Sequence, residues 1–208
     1  AWFEETGKKV AVIGGGPSGL TAARELRRYG HSVTIFERDS VLGGMMVQGI
    51  PVFRLPRETV AEEVKAIIDS GIDVKLNTPV DAEMMQGIID EYDSVLVSVG
   101  TVHASNLKLP GLPEDGHAVS GLSFMHDYNM GDIEEGSMKG QNVIIVGGGF
   151  TAVDCARSCA RAALRLVGAE GNVTIMYRRT AGQMAAKYDE IEEMGVENIH
   201  IETLMNPH

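Results

Sequence analysis

Cysteine is scarce in this chain: its 208 residues include two, Cys155 and Cys159. Two thiols cannot supply the ligands of a four-iron cluster and give no disulfide framework, so redox chemistry here needs a bound cofactor. They stand one helical turn apart without a Cys-x-x-Cys, a spacing that favours a buried structural pair over a redox pair. Long apolar runs are missing too. No stretch approaches the roughly 20 residues that cross a bilayer, and no signal-peptide core precedes the first glycine cluster. Positive charge is in deficit, with 18 Lys and Arg against 29 Asp and Glu and a net charge of −11. Phosphate backbones are bound mainly by neutralising them with Lys and Arg, so nucleic acid and anionic membrane surfaces are excluded as partners. These absences point to a cytoplasmic protein with no membrane span. Its six histidines, His103, His117 and His126 among them, show no metal-ligand spacing, and no metal is expected.

What the chain does have is glycine, 25 residues of it, in an otherwise ordinary globular composition of 44% hydrophobic and 23% charged residues. Two clusters stand out. "KKVAVIGGGPSGLTAARELRRYGHSVTIFER" begins at Lys8, and "NVIIVGGGFTAVDCARSCARAALRL" begins at Asn142 on nearly the same plan. In each, a short apolar run stops at glycine, apolar residues then recur at helical spacing, and a second apolar run follows. That is a strand, helix, strand unit of the length a parallel crossover needs.

Around these units the pattern predicts strands over residues 10–13, 32–37, 73–78, 94–100, 142–146, 172–177 and 199–204. Helices are expected from residue 20 to Gly30 and over 58–70, 122–130, 151–166 and 189–194, with an irregular excursion over 39–56. The fold class is α/β, with two Rossmann-like domains. Residues 1–105 form the first, 106–140 an interdomain connection rich in proline and glycine, and 141–208 the second.

The chemistry of each turn follows from geometry. In Gly14-Gly15-Gly16-Pro17-Ser18-Gly19, the first glycine permits the tight turn out of the strand. Gly16 lets backbone approach a pyrophosphate, and Gly19 lets helix pack on strand. Unpaired amides at the helix start face the anion. Glu37 follows at about the 20-residue offset where an acid accepts hydrogen bonds from ribose hydroxyls; its alternative is a solvated carboxylate. The second turn, Gly147-Gly148-Gly149-Phe150-Thr151-Ala152, has alanine in the third glycine position, and its second strand ends in Tyr177, Arg178 and Arg179. The sign of charge is reversed there. Glutamate repels a 2′-phosphate, whereas arginine offers planar donors matched to one; the alternative is a basic pair that is solvated or bridged to Asp189 and Glu190. Two different dinucleotides are therefore expected, NADP(H) at the second turn and, most economically, FAD at the first. Met45, Met46 and Met184 read as packing residues rather than ligands.

"GKKVAVIGGGPSGLTAARELRRYGHSVTIFERDSVLGGMMVQGIPVFRLPRE", "YDSVLVSVGT" and "NVIIVGGGFTAVDCARSCARAALRL" with "VTIMYRR" together resemble the glutamate synthase small-subunit family of FAD/NADPH oxidoreductases. That family includes the flavin modules of dihydropyrimidine dehydrogenase and of bifurcating ferredoxin:NADP oxidoreductases. The resemblance implies an FAD domain with an NAD(P)H domain inserted, both incomplete in this chain. It implies that Gly14 to Gly19, Glu37 and Arg38 hold the FAD pyrophosphate and ribose, that Gly43, Gly44 and Met45 continue the loop, and that Arg54 reaches the flavin side. Val80 is then at the adenine, and Gly100 closes the second flavin motif, where Ser98 and Val99 replace the usual Ala-Thr. Gly148 to Thr151 face the NADPH pyrophosphate, with Arg178 and Arg179 at the 2′-phosphate. Ala181 and Met184-Ala185-Ala186 depart from the family's usual Met-Pro-Ala loop.

The activity implied is hydride transfer between NADP(H) and FAD, with electrons passed to iron-sulfur clusters of a partner subunit or of a segment outside this chain. No catalytic acid or base is required by it, since the protein's part is orientation. The family's cysteine-rich region and final glycine-aspartate motif are not seen, so a partial chain is expected. An NAD(H)-linked version, a thiol-disulfide oxidoreductase and a non-catalytic nucleotide-binding scaffold are the rival readings.

Overall fold

The computed structural model describes residues 3–101, 118–133, 141–164, 172–186 and 188–207, and the chain folds as two compact units, Ala1–Val102 and His103–His208. In the first, the order is β1 (Lys9–Ile13), α1 (Pro17–Arg28), β2 (Ser32–Phe36), α2 (Met45–Gln48), α3 (Arg57–Ile68), β3 (Asp73–Lys75), α4 (Ala82–Glu91) and β4 (Ser94–Val97). The four strands form a parallel sheet in the order β3-β2-β1-β4. β1 and β2 are buried from their second residue onward, as strands covered on both faces must be, which is why each reads as a continuous apolar run.

Side-chain alternation divides the core. Val12, Val33 and Ile35 pack with Leu20 and Ala23 of α1 and with Ile72, backed by Val64, Ile67 and Ile68. Ala11, Ile13 and Phe36 point the other way, onto Ile88 of α4 with Met84, Met85 and Val80 around it. Burying a side chain the size of Leu20 contributes about 1.5–3 kcal/mol, so the glycine turn is carried on a rigid support.

The second unit contains α5 (Gly121–Met130), β5 (Asn142–Val146), α6 (Phe150–Leu164), β6 (Asn172–Tyr177), α7 (Tyr188–Val196) and β7 (Ile199–Thr203). Its strands are parallel in the order β5-β6-β7. Val153, Ala156, Cys159 and Ala160 of α6 pack on Val173, Ile175 and Ile199 of the sheet and on Met194 of α7. α5 falls within the expected connection, yet Phe124 packs on this core and Met125 is fully buried. The remainder of residues 106–140 lies outside the described set apart from 118–133, as do His103 and His117.

Four expectations are corrected. The excursion over 39–56 contains α2. No helix is predicted between 78 and 94, yet Asp81 accepts a hydrogen bond from Met84 N, and the cap starts α4. β3 stops at Lys75 rather than 78, because Asn77 turns to a φ of 50°. β4 stops at Val97 rather than 100, with Gly100 at 69°.

Candidate functional site

In the first turn, backbone dictates which glycines the fold itself needs. Gly14 has a φ of 103°, its N–H donates to Phe36 O at 2.8 Å, and a Cβ on it would lie 2.5 Å from Ser98 O. A Cβ on Gly19 would collide with Gly14 O and lie 2.8 Å from Ser98 Oγ. Ser98 Oγ donates to Ile13 O at 3.0 Å and to Gly14 O at 3.1 Å, so the end of β4 braces the turn. Gly16 differs. The nearest atom to a Cβ there is Gly44 Cα at 3.8 Å, so the space beside Gly16 is left open by the protein. Gly16 is the N-cap of α1 with no side-chain cap, Pro17 occupies the first turn without an N–H, and among the described residues no side chain caps the first-turn amides.

A second loop, of Gly43, Gly44 and Met45, lies against the first turn. Gly43 N donates to Gly15 O at 2.8 Å, and a Cβ on Gly44 would lie 2.8 Å from Gly16 Cα. Met45 is 39% exposed beside it, whereas Met46 packs on the core. Glu37 is 5% exposed, which removes the solvated-carboxylate alternative. Its Oε2 accepts from Gly15 N at 2.7 Å and its Oε1 from Asp39 N at 3.0 Å. Each carboxylate oxygen retains a second lone pair for a ligand hydroxyl. Arg38 Nε donates to Asp39 Oδ2 at 3.2 Å, on which Gln48 Nε2 also converges at 2.6 Å. Arg54 is exposed on the turn before α3, Val80 is half-buried against the Phe36 cluster, and Gly100 is exposed.

Sequence reasoning missed Arg57. Its guanidinium donates to Met46 O at 2.9 Å and Ile50 O at 3.0 Å, strapping the second loop to α3. Burial pushes its pKa down from the ordinary arginine value. A signal exists: a cation as the first residue of a helix opposes the macrodipole, and something must hold it there.

The second turn repeats the frame. Gly147 has a φ of 142° and donates to Met176 O at 3.0 Å, as Gly14 does to Phe36 O. A Cβ on Gly147 would lie 3.5 Å from the Ala152 methyl, an ordinary contact, so alanine is accommodated in the third position. Gly149 is as uncrowded as Gly16: nothing lies within 4 Å of its absent Cβ. Gly148 lies under the Tyr177 ring. Phe150 and Thr151 open α6 and are exposed. Arg178 and Arg179 are exposed just past β6, and among the described residues neither forms an ion pair, with Asp189, Glu190 or any other acid.

Residues 8–206 match the family described as pyridine nucleotide-disulphide oxidoreductase. The chain belongs to that family. It is 39% identical over 204 residues to the NADP(+)-dependent formate dehydrogenase subunit beta of Moorella thermoacetica, covering 97% of this chain and 28% of that one. It is 32% identical over 213 residues to the glutamate synthase (NADPH) small chain of Escherichia coli K12, covering 98% of this chain and 44% of that one. The glutamate synthase small-subunit resemblance is thereby borne out. The solved structure of Mycobacterium tuberculosis FprA in complex with NADPH matches 92% of this chain and 48% of its own, with a TM-score of 0.75 at 22% identity, a likeness of fold. The chain spans less than half the length of each of these proteins.

The disulphide in the family's description has no counterpart in the two thiols of this family member. Cys155 and Cys159 are free and buried on α6, and burial pushes both pKa values up to about 12, so neither thiolate forms near neutrality. Met184 is buried in the same core. His126, Asp127 and Asp132 each bring one ligand atom within 4.8 Å of the others, a grouping the sequence reading did not anticipate and one common among exposed acids without a metal. Among the described residues no helix is long and apolar enough to cross a membrane.

Proposed function

We propose that this chain is the nucleotide-handling part of a flavin-dependent oxidoreductase that moves hydride between NADP(H) and FAD and passes electrons to iron-sulfur clusters in a partner or in a further segment. Residues 1–105 are assigned to FAD and 141–208 to NADP(H), with 106–140 as their connection. The observation that carries this reading is the pairing of two like turns with unlike ends. Both leave the second glycine uncrowded, as a pyrophosphate requires, while the first strand end carries a buried acid and the second two exposed arginines without an ion-pair partner among the described residues.

FAD, when bound, supplies an acceptor that takes a hydride and releases its electrons singly. The protein's own residues bind and orient. Ser18 and Gly19, in the first turn of α1, offer backbone N–H groups to the pyrophosphate, Gly16 gives it room, and Glu37 takes the ribose hydroxyls with Arg38 beside it. Gly43, Gly44 and Met45 extend the cradle, with Arg54, Val80 and Gly100 assigned to the flavin side, the adenine and the closing turn. At the second turn Gly147, Gly148, Gly149, Phe150 and Thr151 receive the nicotinamide dinucleotide, and Arg178 and Arg179 receive its 2′-phosphate. The names of two relatives, one NADP(+)-dependent and one NADPH-linked, favour that nucleotide over NAD(H).

Dissociation constants for NADPH and NADH in the complete protein test the assignment. A charge-assisted hydrogen bond is worth roughly 1.5–3 kcal/mol, so Arg178→Ala is expected to weaken NADPH about tenfold or more and to leave NADH nearly unchanged. Equal small effects on both would return the arginines to a solvated pair and remove the NADP(H) assignment.

A further inference from the structure

The strand registers assign a precise counterpart to Glu37. Ile13 pairs with Phe36 and Val146 with Met176, and Gly14 and Gly147 donate to those two carbonyls. The residue after Phe36 is Glu37; the residue after Met176 is Tyr177. Thus the place of the ribose-binding acid is taken at the second turn by an aromatic ring, and the arginines follow it. Each occupies the same position over the middle glycine. Glu37 Oε2 holds Gly15 N, whereas the Tyr177 ring covers Gly148 so closely that a Cβ there would lie 2.5 Å from Cε2 and 2.9 Å from Cζ.

Tyr177 also reaches forward. Its hydroxyl donates to Gln183 O at 2.8 Å, closing the segment that bears Arg178 and Arg179. That segment is tightened from within by Gln183 N on Thr180 O at 3.0 Å, and Ala185 N returns to Gly148 O at 3.0 Å. The arginine-bearing loop is therefore anchored at both ends on one glycine turn, through Tyr177 and through Ala185. Since among the described residues the two guanidinium groups have no ion-pair partners, the backbone that carries them sets where they stand.

We propose that Tyr177 is a positioning residue that sets the preference for a 2′-phosphorylated over an unphosphorylated nicotinamide dinucleotide: its ring shapes the glycine turn used by both, and its hydroxyl preorganises the arginine loop used by the phosphate alone. The inference rests on the reading of the second turn as an NADP(H) site. Without the hydroxyl, ordering of the loop has to be supplied by nucleotide binding, which lowers affinity only where the loop is used.

The test is a set of dissociation constants for NADPH and NADH, with KM and kcat for NADPH, in the complete protein carrying Tyr177→Phe or Tyr177→Leu. Tyr177→Phe keeps the ring and is expected to weaken NADPH about three- to fivefold and raise its KM in step. NADH binding, kcat at saturation and the melting temperature should stay as in wild type. Tyr177→Leu removes the ring and should weaken both nucleotides. An unchanged NADPH affinity in Tyr177→Phe, or an equal loss for both nucleotides, overturns the proposal while a wild-type preference for NADPH leaves the underlying site intact. A wild type with no such preference overturns both together.

Discussion

Gly16 and Gly149 have room for a methyl group within the protein, whereas Gly14, Gly19 and Gly148 have none. Under the proposed function, this separates glycines that serve the fold from glycines that serve a ligand. Gly16 sits at a φ of −77°, which any residue adopts, so Gly16→Ala should fold with an unchanged melting temperature and still lose flavin affinity about tenfold or more. Gly19→Ala drives a methyl into Gly14 O and should destabilise the unit by about 1–3 kcal/mol. Thermal melts and flavin content of the two variants check this. A destabilised Gly16→Ala with normal flavin content would show that the open space beside Gly16 is not where the pyrophosphate goes. The place of Glu37 at the end of β2 was legible from its offset, but its burial and its hold on Gly15 were not, because a strand-end carboxylate reads the same whether it faces solvent or its own turn.

At the scale of elements, the parallel strands and the two crossover helices were legible because apolar runs stopped by glycine admit few other structures. α4 was not. Its apolar residues, Met84, Met85 and Ile88, form a short face that becomes a helix only with the Asp81 cap and the Phe36 cluster to pack on. The strap from Arg57 to the second loop joins residues whose nearness depends on tertiary structure, so spacing could not give it. A similar clamp joins α6 to the end of α7. Arg157 and Arg161 donate to Glu197 at 2.7–3.1 Å, and Arg157 also meets Glu193 at 2.7 Å. Burial raises the pKa of Glu197, but the two arginines outweigh it and hold the carboxyl below its ordinary value. A lowered carboxyl pKa stabilises the folded state fully above the unfolded value, about 4.3, and that contribution is lost as pH falls through the lowered one. Glu197→Gln is expected to cost about 1–2 kcal/mol at pH 7. The difference from wild type should shrink toward pH 3 in urea unfolding, and a difference independent of pH would show that the clamp is not ionic.

For the whole molecule, two units with separate cores each carry one glycine turn, and under the proposed function the work is divided between a site with an acid and a site with arginines. With a net charge of −11, the proposed phosphate binding rests on those local arrangements rather than on a broad basic surface. In the complete protein, the measurement that bears most directly on this division is rapid anaerobic mixing with NADPH, following flavin and iron-sulfur absorbance together. Flavin should bleach first and the clusters afterwards, and a preparation stripped of flavin should leave the clusters oxidised. Clusters reduced at full rate without flavin, or a flavin band that NADPH does not bleach, would contradict it.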